Sequence, residues 1–326
     1  MSTENSKWQT YFSTLEEVRK SQKAHAAPVI GLLLLGLIGF VILSLSVGFQ
    51  VAVVSMIVLA FLFLNFGHKI KGVSNWTQKR SKIDAQASSV EHRILTAVAH
   101  QIAPWLRVRL GSAPLAEPIK NSKLIEGRID FVHPSRCLTG VFQNEIGFCL
   151  SQIDVGRVET YVDSKKRKQT SQKIHFQGLF LIVDYPTQLK DPVYVDSDRL
   201  ESLGWLAHEW RQSTGQPYIR MDNPDFEKHF HVKASSSVEG FRMLSPDLQE
   251  RLVAFKDKHP NLPCSMCFKD DLLMIAFPMK KSPFVFRDNP DQWEDELMEF
   301  KKAATMTVHL MESLCLKNFS ERSEAV

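Results

Sequence analysis

The sequence predicts an α+β protein: an N-terminal transmembrane helical hairpin followed by a soluble domain with an antiparallel sheet and flanking helices. Three observations carry this expectation. Val29 to Phe66 is a run of 38 residues without a charged side chain. Two β-rich stretches, "NEIGFCLSQIDVGRVETYV" and "QKIHFQGLFLIVDY", flank the polar segment "DSKKRKQTS". Segments with apolar residues at helical spacing lie before and after them.

The chain begins with Trp8, Tyr11, Phe12, Leu15 and Val18 on one helical face, so residues 1–27 read as an amphipathic cytoplasmic helix. It could lie on a membrane surface or pack on the helix that follows the apolar run. As one helix that run would reach ~57 Å, nearly twice the ~30 Å hydrocarbon core of a bilayer. Two spans of ~19 residues fit better. The least apolar part, "SLSVGFQ", sits near the middle, where Gly48 can turn the chain. Residues 28–66 are therefore expected to form a two-span hairpin, because a buried helix pair of a soluble domain would show a polar face on each helix. Arg19, Lys20 and Lys23 precede the run, and Lys69, Lys71, Lys79, Arg80 and Lys82 follow it. That asymmetry places both termini in the cytoplasm. The polar lead and the immediate second span argue against a cleaved signal peptide.

Residues 67–110 read as a basic juxtamembrane segment and stalk helix, with Ile83, Ala87, Val90, Ile94 and Val98 on one face and Pro104 as the stop. Residues 111–326 form the expected α+β domain. Within it, Glu145 to Asp184 reads as a long antiparallel hairpin with a basic tip. "DPVYVD" adds a strand, and Leu200, Leu203, Ala207 and Trp210 mark a helix. "FEKHFHVKA" is strand-like. "SPDLQERLVAFKDKHP" is a helix with Ser245 as N-cap and Pro246 in its first position. "CSMCFKDDLLMIAFP" reads as two strands joined through Lys269 to Asp271, and a last helix carries the stripe Trp293, Leu297, Phe300, Ala304, Thr307, Met311 and Leu314.

Much of the formal charge of +4 is juxtamembrane and no basic face interleaved with aromatics is evident in the rest, so nucleic acid is not an expected partner. Five scattered cysteines suit a reducing compartment rather than a disulfide framework. Lys165, Lys166, Arg167 and Lys168 form four adjacent positive charges at the hairpin tip, which read either as a solvated loop or as a contact for a membrane surface or an acidic partner. Cys264 and Cys267 form a C-x-x-C, the spacing of zinc and redox sites, but in a strand residues three apart face opposite ways. His229 and His231 would share a strand face and could start a metal site. His208, His259 or a carboxylate are the further ligands available. Phosphate-loop, dinucleotide, nucleophile-elbow and H-E-x-x-H signatures are absent from the sequence, and no cofactor is expected.

The segments "FQGLFLIVDY", "NPDFEKHFHV", "VEGFRMLSPDLQERL" and "CFKDDLLMIAFP", in this order behind the apolar run, resemble the bacterial family of two-pass membrane proteins catalogued as domain of unknown function 3137. The resemblance runs from about Lys7 to Leu316. It implies architecture and a bacterial inner-membrane location, and no site residue. The leading functional expectation is a two-pass inner-membrane protein whose cytoplasmic domain binds a protein partner, a second copy or the lipid bilayer as a scaffold or accessory. A rival is a membrane-tethered enzyme using His208, Glu227, His229 and His231. A third reading is an accessory subunit of a larger membrane complex.

Overall fold

The computed structural model describes residues 12–21, 71–109, 116–143, 145–162, 168–185, 189, 191–197, 216–287 and 289–314. The chain divides into two compact units, Met1–Ile94 with Phe286–Trp293, and Leu95–Val285 with Glu294–Val326.

In the first unit, helix α1 (residues 12–21) buries Leu15 completely. Phe12 packs its ring 6.1 Å from Phe286 and 5.8 Å from Trp293. Arg19 is nearly sealed from solvent and pairs with Glu91 of helix α2 (Lys71–Ile102) at 2.8 Å. Its guanidinium also donates to the Phe286 and Arg287 carbonyls and lies over the Trp293 ring. The described part of the N-terminal helix thus packs on protein. A buried guanidinium is tolerable here because a carboxylate and two carbonyls accept from it.

The second unit is built on one nine-stranded sheet in which every pairing is antiparallel. Its strands are β1 (Arg107–Arg109), β2 (Phe131–Phe142), β3 (Ile146–Val162), β4 (Lys168–Asp184), β5 (Val193–Ser197), β6 (Tyr218–Ile219), β7 (Phe230–Lys233), β8 (Ser265–Lys269) and β9 (Leu272–Pro278). Their spatial order is β1-β2-β3-β4-β9-β8-β5-β7-β6. The helices between them are α3 (Ala116–Ser122), α4 (Pro224–Glu227), α5 (Ser237–Met243) and α6 (Pro246–Lys258), and α7 (Trp293–Leu314) closes the described chain. Ser245 caps α6 by accepting from the Leu248 amide, with Pro246 in the first turn.

The central strands are apolar on both faces. Phe180, Met274, Ala276 and Cys267 join Ile119, Ile153, Val155, Phe176 and Tyr194 in one buried cluster. The alternate residues Leu179, Leu181, Val183, Leu273, Ile275 and Phe277 are equally buried on the opposite face. A sheet of this kind must be covered on both sides, which is why its middle strands read as continuous hydrophobic runs rather than as an alternation. Gly178 leaves room for the β9 backbone, since a Cβ there would meet the Phe277 carbonyl oxygen at 2.1 Å.

Two expectations need correction. Among the described residues no helix is long and apolar enough to cross a membrane. The 32 residues of α2 suffice in length, but they include Asp84, Glu91 and Arg93, and α7 opens with Glu294, Asp295 and Glu296. Among the described residues the fold is therefore an antiparallel nine-stranded sheet with helices and no transmembrane hairpin; residues 28–66, where the sequence places that hairpin, lie outside the described residues. The membrane, transmembrane and inner-membrane assignments, with both termini cytoplasmic, depended on that hairpin and are not carried forward. Second, "FEKHFHVKA" is not one strand. Asn223 accepts from the Asp225 and Phe226 amides, Pro224 fixes the first turn, and four residues coil as α4 before the chain extends at Phe230. The helix expected around Leu200 to Trp210 lies outside the described residues.

Candidate functional site

The long hairpin outgrows the sheet that carries it. β2 pairs with β3 only as far as Phe131 opposite Gly156, and β9 pairs with β4 only from Gly178 onward. Beyond these points β3 and β4 continue together through six further pairs, from Arg157 opposite Lys173 to Val162 opposite Lys168. Six residues at ~3.4 Å each make a two-stranded arm projecting ~20 Å past the sheet.

Its root is built deliberately. The register shifts so that Val155 faces Phe176 while Gly156 faces Ile174, leaving His175 as an extra residue in β4. Such a bulge bends and twists a ribbon locally. Gly156 is required there, because a Cβ would meet the Lys173 carbonyl oxygen and the Phe131 ring, each at 2.4 Å. Asp130 ties the root down. Its amide donates to the Gly156 carbonyl at 3.0 Å, and its carboxylate accepts from the Val158 amide at 2.8 Å and from Arg128 at 2.7 Å. The Val158 amide, and after it the Arg128 guanidinium, holds the Asp130 carboxyl below its ordinary range.

Both faces of the arm are open. One carries Arg157, Glu159 and Tyr161 with Lys173, Ser171 and Gln169, and Glu159 bridges to Arg157 at 2.6 Å and to Lys173 at 3.9 Å. The other carries Val158 and Thr160 with Gln172 and Thr170, and Ile174 at the root. Val158, Tyr161 and Ile174 are 39%, 51% and 49% exposed, so the ribbon buries no core of its own. Between Arg157 and Ile174 stand six basic and two acidic residues, an excess equal to the formal charge of +4 for the entire chain. Of the four residues singled out at the tip, Lys168 opens β4 and is exposed, while Lys165, Lys166 and Arg167 lie outside the described residues.

Among the described residues the other candidates do not converge with the arm or with each other into a catalytic set. His229 sits in the turn after α4, 3.7 Å from Asp257 on α6, while His231 is in β7 opposite Asp196 and edge-on to Tyr218. Glu227 accepts from the Met221 amide at 2.7 Å, a contact that fixes backbone. His208 lies outside the described residues. Cys264 precedes β8, its amide donating to Ser197, and burial pushes its thiol up to about 11. Cys267, inside β8, belongs to the buried cluster, and burial pushes it up to about 12. Burial thus works against the thiolate form that a zinc ligand or a nucleophile needs. Among the described residues no group of three or more His, Cys, Asp or Glu is placed to hold a metal ion.

One grouping escaped sequence reading because its members are 50 residues apart. His259, at the C-cap of α6, places Nε2 3.3 Å from Nδ1 of His309 on α7. Phe255 packs against the His259 ring at 4.9 Å. Burial, then His309 and Lys258, lower the pKa of His259 below the usual 6.5.

Residues 174–316 match the model of the family described as "Protein of unknown function (DUF3137)". The match begins at the root of the arm, at Ile174, and runs through the sheet's second half into the last helix. It covers less of the chain than the resemblance from Lys7 to Leu316 and does not extend to the apolar run. No curated protein matches the chain. The crystal structure of the mycobacterial trehalose monomycolate transport factor A, TtfA, is similar over 66% of this chain and 93% of that chain, with 11% identity and a TM-score of 0.33. That likeness is too weak to carry an argument.

Proposed function

We propose that the chain is a binding module, acting as a scaffold or accessory protein, that holds an acidic segment of a partner protein along the β3–β4 arm. The observation that carries this reading is the arm itself: a ribbon extended past the sheet, with exposed side chains on both faces and a basic excess of four between Arg157 and Ile174. A two-stranded ribbon is marginal in water, so a root braced by Asp130 and Gly156 is costly structure without a task. Extended ribbons offer unpaired backbone to a peptide strand, while complementary charge steers it into place. The enzyme alternative draws no support from Glu227, His229 and His231, which are engaged separately.

The test uses the full-length chain and polyglutamate as the acidic probe. Binding should weaken as salt rises, because exposed charges are screened over about 8–10 Å at physiological ionic strength. Replacing Lys165, Lys166, Arg167 and Lys168 by Gln removes four positive charges, and at ~0.2–1 kcal/mol for each ion pair such a charge makes at a surface, affinity should fall by about 4-fold to several hundred-fold. Unchanged affinity would overturn the proposal. So would a variant that loses binding to anionic vesicles while keeping its affinity for polyglutamate, or binding that tracks self-association instead.

A further inference from the structure

We infer that His259 and His309 form a two-imidazole binding site for a divalent first-row transition cation, with zinc the representative ion. The two ring nitrogens come from different elements, the C-cap of α6 and the penultimate turn of α7, and stand 3.3 Å apart. As the rings stand, that separation is a weak hydrogen bond between the two imidazoles, just beyond the usual range of about 2.7–3.2 Å. It matches the spacing of two ligands on one ion: with zinc–nitrogen bonds of about 2.0–2.1 Å, nitrogens at this distance subtend ~107° at the metal, the tetrahedral value.

The ring planes are inclined at 44° with centroids 5.5 Å apart, so the rings now point nearly at each other. A swing of both rings is needed for their lone pairs to meet at an ion beside the line joining them. Both histidines are only partly buried, which leaves the remaining coordination positions to water. Backing comes from the other side: Phe255 lies against the His259 ring and limits where it can turn. Imidazole donors suit zinc, copper and nickel, whereas magnesium and calcium require oxygen ligands. The site would therefore discriminate between these two classes. An ion here would join the end of α6 to α7, and its binding free energy would add to the stability of the folded state.

The experiment strips the full-length chain with chelator and titrates it with zinc at pH 7.5, reading heat of binding and thermal unfolding. One equivalent should bind and raise the unfolding temperature, while magnesium should do neither. His259→Gln and His309→Gln should each weaken binding by at least the ~10–100-fold that loss of an outer ligand partner costs. A His229→Ala, His231→Ala double variant should bind like the wild type. Copper bound to the wild type should show hyperfine coupling to nitrogen in its electron paramagnetic resonance spectrum, a readout that holds even if a variant fails to fold. Zinc binding that survives both glutamine variants, that vanishes in the His229 and His231 variant, or that is absent at millimolar zinc would overturn the inference, as would a copper spectrum without nitrogen coupling.

Discussion

Lys233 is 2% exposed, and a buried ammonium survives only with its charge answered. Asp196 answers it at 3.1 Å and is itself held by the Ser265 hydroxyl, which donates to its other oxygen at 2.6 Å. The register explains the meeting: Asp196 stands opposite Ser265 on one side and His231 on the other, and Tyr194 stands opposite Lys233. The Tyr218 ring covers the ammonium at 5.1 Å. Removing one partner of such a pair costs more than the pair contributes, because it leaves a charge stranded. Asp196→Ala should therefore destabilise the protein by about 3–5 kcal/mol in urea unfolding, and Lys233→Met added to it should recover most of the loss. A cost below 1 kcal/mol for the single change would mean that water reaches Lys233. Nothing in the local sequence foretold this contact, since "DPVYVD" and "FHVK" read only as strands and their pairing partner is a matter of tertiary topology.

At the scale of the element, the β3–β4 ribbon was legible because both stretches are β-rich and the polar run between them reads as a turn. Its partner β2 was not, since "FVHPSRCLTGVF" contains Pro134, which interior strands exclude. In the structure Pro134 stands opposite Ile153 of β3, beside a register irregularity between Pro134 and Cys137, and β1 covers the other side of β2 only at Cys137 to Thr139. The arm's root yields two predictions. Asp130→Ala should speed hydrogen exchange at the Val158 amide without moving that of the central strands. Because the Asp130 carboxyl is held below its ordinary 3.8, its bond contributes stability fully above that value, and the contribution is lost as pH falls through the lower folded value. Protection at Val158 should accordingly persist at pH 5 and fade well below pH 4. Gly178→Ala is the corresponding test within the sheet. A methyl driven against the Phe277 carbonyl forces β4 from β9, and overpacking of this kind costs about 1–3 kcal/mol.

Over the whole molecule, sequence reading recovered what depends on neighbours in the chain, such as the Ser245 cap, the β8–β9 hairpin and the acidic start of α7. It missed what depends on distant neighbours, including the nine-strand order, the Lys233 network and the His259–His309 contact. The divide has a consequence for the proposed function. The buried cluster draws on Ile153, Val155, Phe176 and Phe180, all on the sheet side of Gly156 and Ile174, and none of its residues lies beyond them in the arm. The arm should therefore be separable from the fold. Joining Arg157 to Lys173, which already face each other, through an Asn-Gly turn of type I′ removes the ribbon and its tip without cutting a core contact. The shortened chain should unfold cooperatively within about 1 kcal/mol of the parent, since surface changes away from buried features usually stay within ±0.5 kcal/mol. Its zinc response at His259 and His309 should be unchanged, while its affinity for polyglutamate should fall to that of the four-glutamine variant or below. If stability collapses instead, the arm is packed against something and is not a free docking element. If stability holds and acidic binding persists, the partner's seat lies elsewhere on the sheet.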